Sequence, residues 1–431
     1  MIRLFLTILG LLMLLTSSLL SAEWQITNLD NGLKVMILEA HQVPQVNIST
    51  TVKVGAKNET DFYDGATHLL EHLILFRGTE KMTGEKVGEE MRRHGAYFNG
   101  STSQDWTDFE ISLPAEYLEF ALQIHSDMLF RSNFGPEAMN EERQAVMEEI
   151  NINEDNPGAK VYYSSLKSLY KGHPYEKDVL GTKGNIGNIP RDSVYAYYKR
   201  YYAPNNMTLA IVGDIDAATA LDLVKKYFAD IKSGTAPLDQ YNPPPKYSQV
   251  TKIEIKKDIA QAYLMMGMVG PKADSPDQYA LDLLSNIIGG GQSSRLWKRL
   301  KDQLGIVNSI YFAFSTSKYE GPIYASAVLE PAKIPEAETA IREILADAKK
   351  GDFTENELRK AKNSLLTAFY ISHEVGLDIA DSYAQYDSFI GYKYLEDYPG
   401  KIEKVTLADL TAVAQKYLNT DSYILTTVVP K

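Results

Sequence analysis

There is no cysteine in the 431 residues. That excludes disulfides and any lipid carried on a thiol. Histidine is scarce too, with 7 copies in the whole chain. Basic residues fall short of acidic ones, 44 against 56, for a formal net charge of -12. Such a chain repels phosphate backbones, so nucleic acid is excluded as a partner class. No Lys/Arg-rich helix of the kind that lies on membrane surfaces is visible. Long apolar runs are missing as well. The run Leu4 to Leu15 has about a dozen residues, against the roughly 20 that cross a bilayer.

That run has a different reading. "MIRLFLTILGLLMLLTSSLLSAEW" places Arg3 first, then the apolar stretch, then small residues ending near Ala22. This is the order of a secretory signal peptide, so residues 1–22 are expected to be removed, with membrane association if they are retained. An exported chain without disulfides depends on its core alone. A composition 44% hydrophobic and 23% charged is that of an ordinary globular protein and supplies one. The length calls for at least two domains.

The sequence reads as one fold written twice. Aligning Leu69-Leu70 of "ATHLLEHLIL" with Leu283-Leu284 of "ALDLLSNII" preserves the apolar frame. "KRYYAPNNMTLAIVGD" matches "QKYLNTDSYILTTVVP", and the charged helical stretch from Glu141 matches the one from Glu355. Order is kept at offsets of about 215 residues, too long for a solenoid and right for duplicated domains. The Pro-rich stretch "SGTAPLDQYNPPPKYSQV", residues 233–250, is the expected linker. It divides residues 23–232 from 251–431. Within each half, β-branched runs such as "KVMILEA", "NISTTVKVG" and "TLAIVGDI" mix in blocks with helical stretches such as "GEKVGEEMRRHG" and "PAEYLEFALQIHSDML". Asn31-Gly32 between two strand-like runs points to a hairpin. The expected fold class is α+β, two homologous tandem domains of mixed sheet plus helices.

Three polar residues interrupt the apolar, helix-like stretch "ATHLLEHLILFRGT", residues 66–79. His68 and His72 stand one turn apart and converge on one face, and Glu71 sits beside that face. Two imidazoles with a neighbouring carboxylate suit a catalytic metal, which takes three protein donors and leaves room for water. The bland alternative is a pair of satisfied helix histidines. The second copy argues against it: Asp282, Ser285 and Asn286 replace all three while the leucines remain. The fold therefore does not require them. Candidates for the third donor are Glu141, Glu142, Glu148 and Glu149 in "NEERQAVMEEINI". Glu142 and Glu149 share a face, as do Glu141 and Glu148. Ala145 and Val146 between Glu142 and Glu149 mark that stripe as core-facing and favour this pair.

"HLLEH", then 76 residues, then Glu149 in "ERQAVMEEI", resembles the pitrilysin/insulinase family of inverted-motif zinc peptidases. "FRGT", "GAYFNGSTSQDWTDFE", "HPYEKDVLGTKGNI" and "YYAPNNMTLAIVGD" are also similar to family segments, and the likeness covers nearly all of the mature chain. It is closest in type to the short two-domain bacterial members, which resemble mitochondrial processing peptidase subunits. The resemblance implies one zinc per chain, held by His68, His72 and Glu149, with Glu71 as base and Glu142 as the carboxylate behind the ligands. It implies an edge strand carrying Asn99, Gly100 and Thr102 that binds substrate backbone, as exposed edges can. It implies a peptide or unfolded-protein substrate, a clam-like pair of chains, and, since similar signals occur in bacterial relatives, the periplasm.

One departure stands out. Active members carry an Arg and a Tyr, seven residues apart, after a Gly-rich loop and an "SSRL" stretch. Here "GGGQSSRLWKRLKDQLGIVNSIYF" puts Lys301 and Asn308 at those positions, with Tyr311 in another register. Lys keeps the charge without the planar fork, and Asn is no substitute for a phenol. The resemblance then implies a heterodimer in which a homologous chain supplies the Arg and Tyr, or else a homodimer that uses Lys301. A non-catalytic peptide-binding or assembly subunit of the same fold is the alternative.

Overall fold

The computed structural model describes residues 23–132 and 134–431; the segment 1–22, read as an export signal, lies outside the described residues. Among the described residues no helix is long and apolar enough to cross a membrane.

The first sheet is built from β1 (Gln25–Asn28), β2 (Lys34–Glu39), β3 (Gln45–Val52), β4 (Tyr97–Thr102), β5 (Thr107–Pro114) and β6 (Met207–Gly213), in the order β1-β2-β6-β3-β5-β4. β1 and β2 form the expected hairpin, with Gly32 at φ +85° in the turn. Asn31 does more than turn the chain: its Nδ2 donates to the Phe228 carbonyl at 2.8 Å. Between the strands run α1 (Ala66–Phe76), α2 (Gly84–Arg93), α3 (Leu118–Phe130), α4 (Pro136–Asp155), α5 (Pro157–Leu169), α6 (Lys183–Asn188) and α7 (Arg191–Tyr201); α8 (Ala217–Phe228) follows β6.

Residues 233–250 hold no helix or strand. The second sheet starts after them with β7 (Thr251–Lys257) and β8 (Ala262–Val269), continues through α9 (Gln278–Gly289), β9 (Val307–Phe314), β10 (Pro322–Leu329) and α10 (Ile334–Lys350), then α11 (Glu355–Ile371), α12 (Gly376–Phe389), α13 (Lys393–Lys404), α14 (Leu407–Tyr417) and β11 (Ile424–Pro430). Its order, β7-β11-β8-β10-β9, repeats that of the first sheet without β1. The two parallel pairs also correspond: β2 with β6, and β7 with β11. The protein is α+β, one architecture used twice. β4 and β9 are the matching edge strands.

The halves exchange helices. One face of each sheet is covered by helices of its own half, around Leu69, Leu73, Ile48 and Ile111 in the first and Leu284, Ile288, Leu264 and Ala325 in the second. The other face is covered from across the linker. Ala380, Tyr383 and Ala384 of α12 pack on Met36, Leu38, Ala210 and Val212 of the first sheet. Val161 of α5 packs on Met265 and Val428 of the second. The sequence prepares this departure. α4 stops before Pro157, and Asn156 caps α5 by accepting from the Gly158 and Ala159 amides. The bend frees α5 to leave its own half while α4 stays against α1.

His125 on α3 shows what a structural histidine looks like here. It is buried, with Nε2 2.7 Å from Thr50 Oγ1, and burial pushes its pKa down to about 3. The folded protein holds it neutral, so on acidification the unfolded chain takes up this proton first. Its effect on stability is absent above about pH 6.5 and grows unfavourable as pH falls toward 3. Urea denaturation of His125→Gln beside the parent is expected to show the parent losing ground by about 1.4 kcal/mol per pH unit between pH 6 and 4. Parallel pH profiles would contradict it.

Candidate metal centre

Helix α1 is placed by its N-terminus. Gly65 caps it at φ +85°, and a Cβ there would stand 2.6 Å from the Leu180 carbonyl oxygen. The facing Gly181, at φ +70°, would bring a Cβ to 2.5 Å from the Asp64 carbonyl oxygen. Two glycines thus let the 178–183 loop lie directly on the helix start. The Glu59 carboxyl accepts from the amides of Gly65 and Thr67, both at 2.7 Å; these bonds favour its charged form, but burial outweighs them and pushes its pKa up to about 8.

So held, α1 buries every residue from Ala66 to Leu75, His68, Glu71 and His72 included. Helix α4 crosses beside it. His68 Nε2 lies 3.5 Å from Glu149 Oε2, and His72 Nε2 lies 3.4 Å from Glu149 Oε1. One donor atom from each of the three residues falls within 4.8 Å of the others. The far nitrogen of His72, Nδ1, is 2.9 Å from Glu142 Oε2. Both Glu142 and Glu149 sit on the expected stripe with Met139, Val146 and Ile150. Glu142 is 3% exposed at its side chain and Glu149 43%. Ala145 departs from the expected stripe: it is exposed, because α4 is covered on one side only and only Val146 of that pair faces inward.

The electrostatics favour a cation between these groups. Burial, with the neighbouring His72, pushes His68 down to about 4. Burial opposes the His72 cation also, but the Glu142 and Glu149 carboxylates outweigh it and push His72 up to about 9. The hydrogen bond from His72 holds Glu149 below the usual carboxylate range. A proton on His72 therefore stands where a divalent ion is able to replace it. Two imidazole nitrogens and one carboxylate oxygen converging on a gap match the donor set of a catalytic zinc, so the residues present fit the metal.

Glu71 points past the donors into the cleft. Burial pushes it up to about 6, and Thr102 on β4 donates to its Oε2 at 2.7 Å. The cleft, of about 430 Å³, runs between α1 and edge strand β4 and is lined on its further side by Tyr163, Val179 and Leu180. Asn99, Gly100 and Thr102 all line it. A Cβ on Gly100 would be a tight fit, 3.0 Å from the Asp108 carbonyl oxygen and Leu75 Cδ1 and 3.2 Å from Glu71 Cγ. Lys301 and Asn308 are not brought to this cleft by their own chain. Lys301 lies in a π-helical turn, Trp297–Gln303, and Asn308 is the exposed extra residue of a bulge where β9 meets β10.

Two contacts escaped the sequence reading. Arg77 donates Nε to Glu142 Oε1 and pairs through Nη1 with Glu141, so both oxygens of Glu142 are engaged. The other is the Thr102–Glu71 bond. Arg77 was in view as the "FRGT" that follows the motif, but nothing local tied it to α4.

The second half keeps the cleft and not the donors. Asp282, Ser285 and Asn286 of α9, Phe312 to Phe314 of β9, and Phe369, Tyr394 and Tyr398 enclose about 610 Å³.

Two family models match the chain. One, described as insulinase (peptidase family M16), covers residues 34–183, and one described as the peptidase M16 inactive domain covers 188–365. The chain is 26% identical over 403 residues to the uncharacterized zinc protease YmxG of Bacillus subtilis, covering 93% of this chain and 97% of that protein. It is 30% identical over 308 residues to an uncharacterized zinc protease of Rickettsia bellii, covering 71% and 72% of the two. A crystal structure of a protease from Helicobacter pylori superposes with a TM-score of 0.89 at 25% identity, covering 95% of this chain and 100% of that one.

Glu142→Gln leaves the three donors in place and removes the negative charge behind His72. Competition with a chromophoric chelator is expected to show zinc affinity about 10- to 100-fold weaker. Unchanged affinity would mean that Glu142 does not support the site.

Proposed function

The chain belongs to the insulinase family, peptidase family M16, and from that premise we propose that it is a zinc-dependent endopeptidase that cleaves peptides or unfolded polypeptides. The observation that carries this is the meeting of His68, His72 and Glu149 around one gap, with Glu71 beside it, in a cleft bordered by a sheet edge. His68, His72 and Glu149 would hold the zinc. When bound, zinc supplies a Lewis acid for the scissile carbonyl and brings the pKa of water toward about 7.

The chain's own residues do the rest. β4 offers its unpaired edge to an extended peptide, which adds as a further strand. Gly100 leaves room for that backbone to pass over Glu71. The Glu71 carboxylate, oriented by the Thr102 hydroxyl, takes the proton of the attacking water and returns it to the amine leaving group. Glu142 keeps His72 turned so that Nε2 faces the gap.

We further propose that this is the zinc-bearing chain of a two-chain enzyme. Lys301 and Asn308 lie away from the cleft, and neither has the chemistry of the Arg and Tyr that the resemblance leads one to expect. A homologous partner would supply them. Location in the periplasm rests on the signal-like leader. The reading of a non-catalytic subunit draws on the inactive-domain match, but that match begins at residue 188 and includes none of the four residues in question.

The test is hydrolysis of a quenched fluorescent peptide library by the zinc-loaded mature chain, with and without co-isolated partner, beside Glu71→Gln. Cleavage reduced about 10²- to 10⁴-fold by Glu71→Gln, with zinc retained, is expected. Equal activity of the variant would remove Glu71 from the reaction. Isolation of the native complex is expected to yield two different polypeptides of similar size; a single polypeptide would sink the two-chain assignment.

A further inference from the structure

Behind the substrate edge lies a second gathering of acids. Asp108 and Glu110 alternate with Phe109 and Ile111 along β5, so they face away from the metal centre and toward α12. Asp381 of α12 comes down on them, and one carboxylate oxygen from each of the three lies within 4.8 Å of the others. Asp108 is buried at 3% exposure. Asp387, further along the same helix, is answered by Lys34 at 2.5 Å. Among the described residues the trio meets no such answer: Asp381 shares a hydrogen bond with Glu110 and feels the charges of Glu110 and Asp108, and Asp108 feels those of Glu110 and Glu71. Three acids gathered together, Asp108 buried and Glu110 and Asp381 half-buried, repel one another unless a cation or a proton joins them.

A second observation points to a ligand. Ser49 and Thr51 on β3 are the cross-strand partners of Glu110 and Asp108, so their side chains share that face. Both are 0% exposed, and neither Ser49 Oγ nor Thr51 Oγ1 has a hydrogen-bond partner. Asp381 Oδ1 is also without one. Ser49 is near enough to act on the Asp381 carboxyl. Buried hydroxyls are seldom left unsatisfied.

We propose that Asp108, Glu110 and Asp381, with the Ser49 and Thr51 hydroxyls, form a second metal site, an all-oxygen site for calcium that fastens α12 to the back of the first sheet. Hard oxygen donors without nitrogen or sulfur select calcium or magnesium over zinc. Calcium takes about six to eight oxygen ligands in flexible geometry, whereas magnesium demands a near-ideal octahedron and keeps most of its waters, so carboxylates gathered from two separate elements suit calcium. The site would couple to the substrate strand. Ser101 of β4 donates to Asp108 at 2.6 Å and the Tyr97 hydroxyl to Glu110 at 3.1 Å, while Thr102 of the same strand holds Glu71 on the opposite face.

The test uses the full mature chain loaded with one zinc and dialysed free of other ions. Calorimetric titration with calcium chloride is expected to show one saturable site per chain, weaker for magnesium, with a rise in Tm of about 3 °C or more. Asp381→Asn is expected to lose both responses, keep one zinc per chain, and have a calcium-free Tm no lower than the parent's, since it relieves the repulsion; Asp108→Asn serves as the second variant. Absence of saturable calcium uptake by the parent, or equal uptake by both variants, would overturn the site. So would a Tm that rises on acidification from pH 8 to 6 while calcium has no effect, which would assign protons to the trio.

Discussion

The Glu142 carboxylate is the contact on which the geometry of the candidate metal centre depends. It reaches from α4 to His72 of α1 with one oxygen and to Arg77 with the other. That double engagement fixes the rotation of α4 against α1. Once it is fixed, Glu149, two turns further along the same face, has to arrive opposite the two Nε2 atoms. The anchor also sets the direction of each imidazole, because a ring nitrogen bound to a carboxylate turns its other nitrogen outward. His68 has no such anchor: its Nδ1 is without a partner. His72 is therefore the rigid donor and His68 the adaptable one.

The exchange of helices makes the two halves one object. Each sheet would expose an apolar face without the helix sent from the other half, and exposed apolar faces of that size are sites of association. The arrangement also explains how a half without metal donors contributes to a site in the other. α12, from the second half, covers the back of the sheet whose edge strand β4 borders the cleft. Anything that loosens α12 loosens the support of β4. The chain keeps a cleft in the second half at the corresponding place, so duplication preserved the architecture while the candidate metal donors stand in one copy.

Much of this was legible in the sequence. The hairpin at Asn31-Gly32, the duplicated order of elements and the histidine pair are encoded by short-range patterns, in which turn residues, apolar periodicity and one helical turn suffice. Glu142 and Glu149 were legible as a stripe because seven residues make two turns, though Ala145 was read as part of that stripe and faces solvent. Arg77 and Thr102 were not legible, since their roles exist only once α4 and β4 are packed on α1. The exchange of α5 and α12 was invisible for a related reason. A repeat tells which elements are alike, not which sheet each will cover. Nothing local singles out Asp108 and Glu110, and only the arrival of Asp381 from the other half makes them a cluster.

The central claim is that His68, His72 and Glu149 together hold one zinc. Zinc K-edge X-ray absorption on the purified mature chain tests it most directly. The account predicts one zinc per chain, with two imidazole nitrogens and at least one carboxylate oxygen at about 2.0–2.2 Å. Zinc well below one per chain, or a coordination sphere without imidazole, would contradict it.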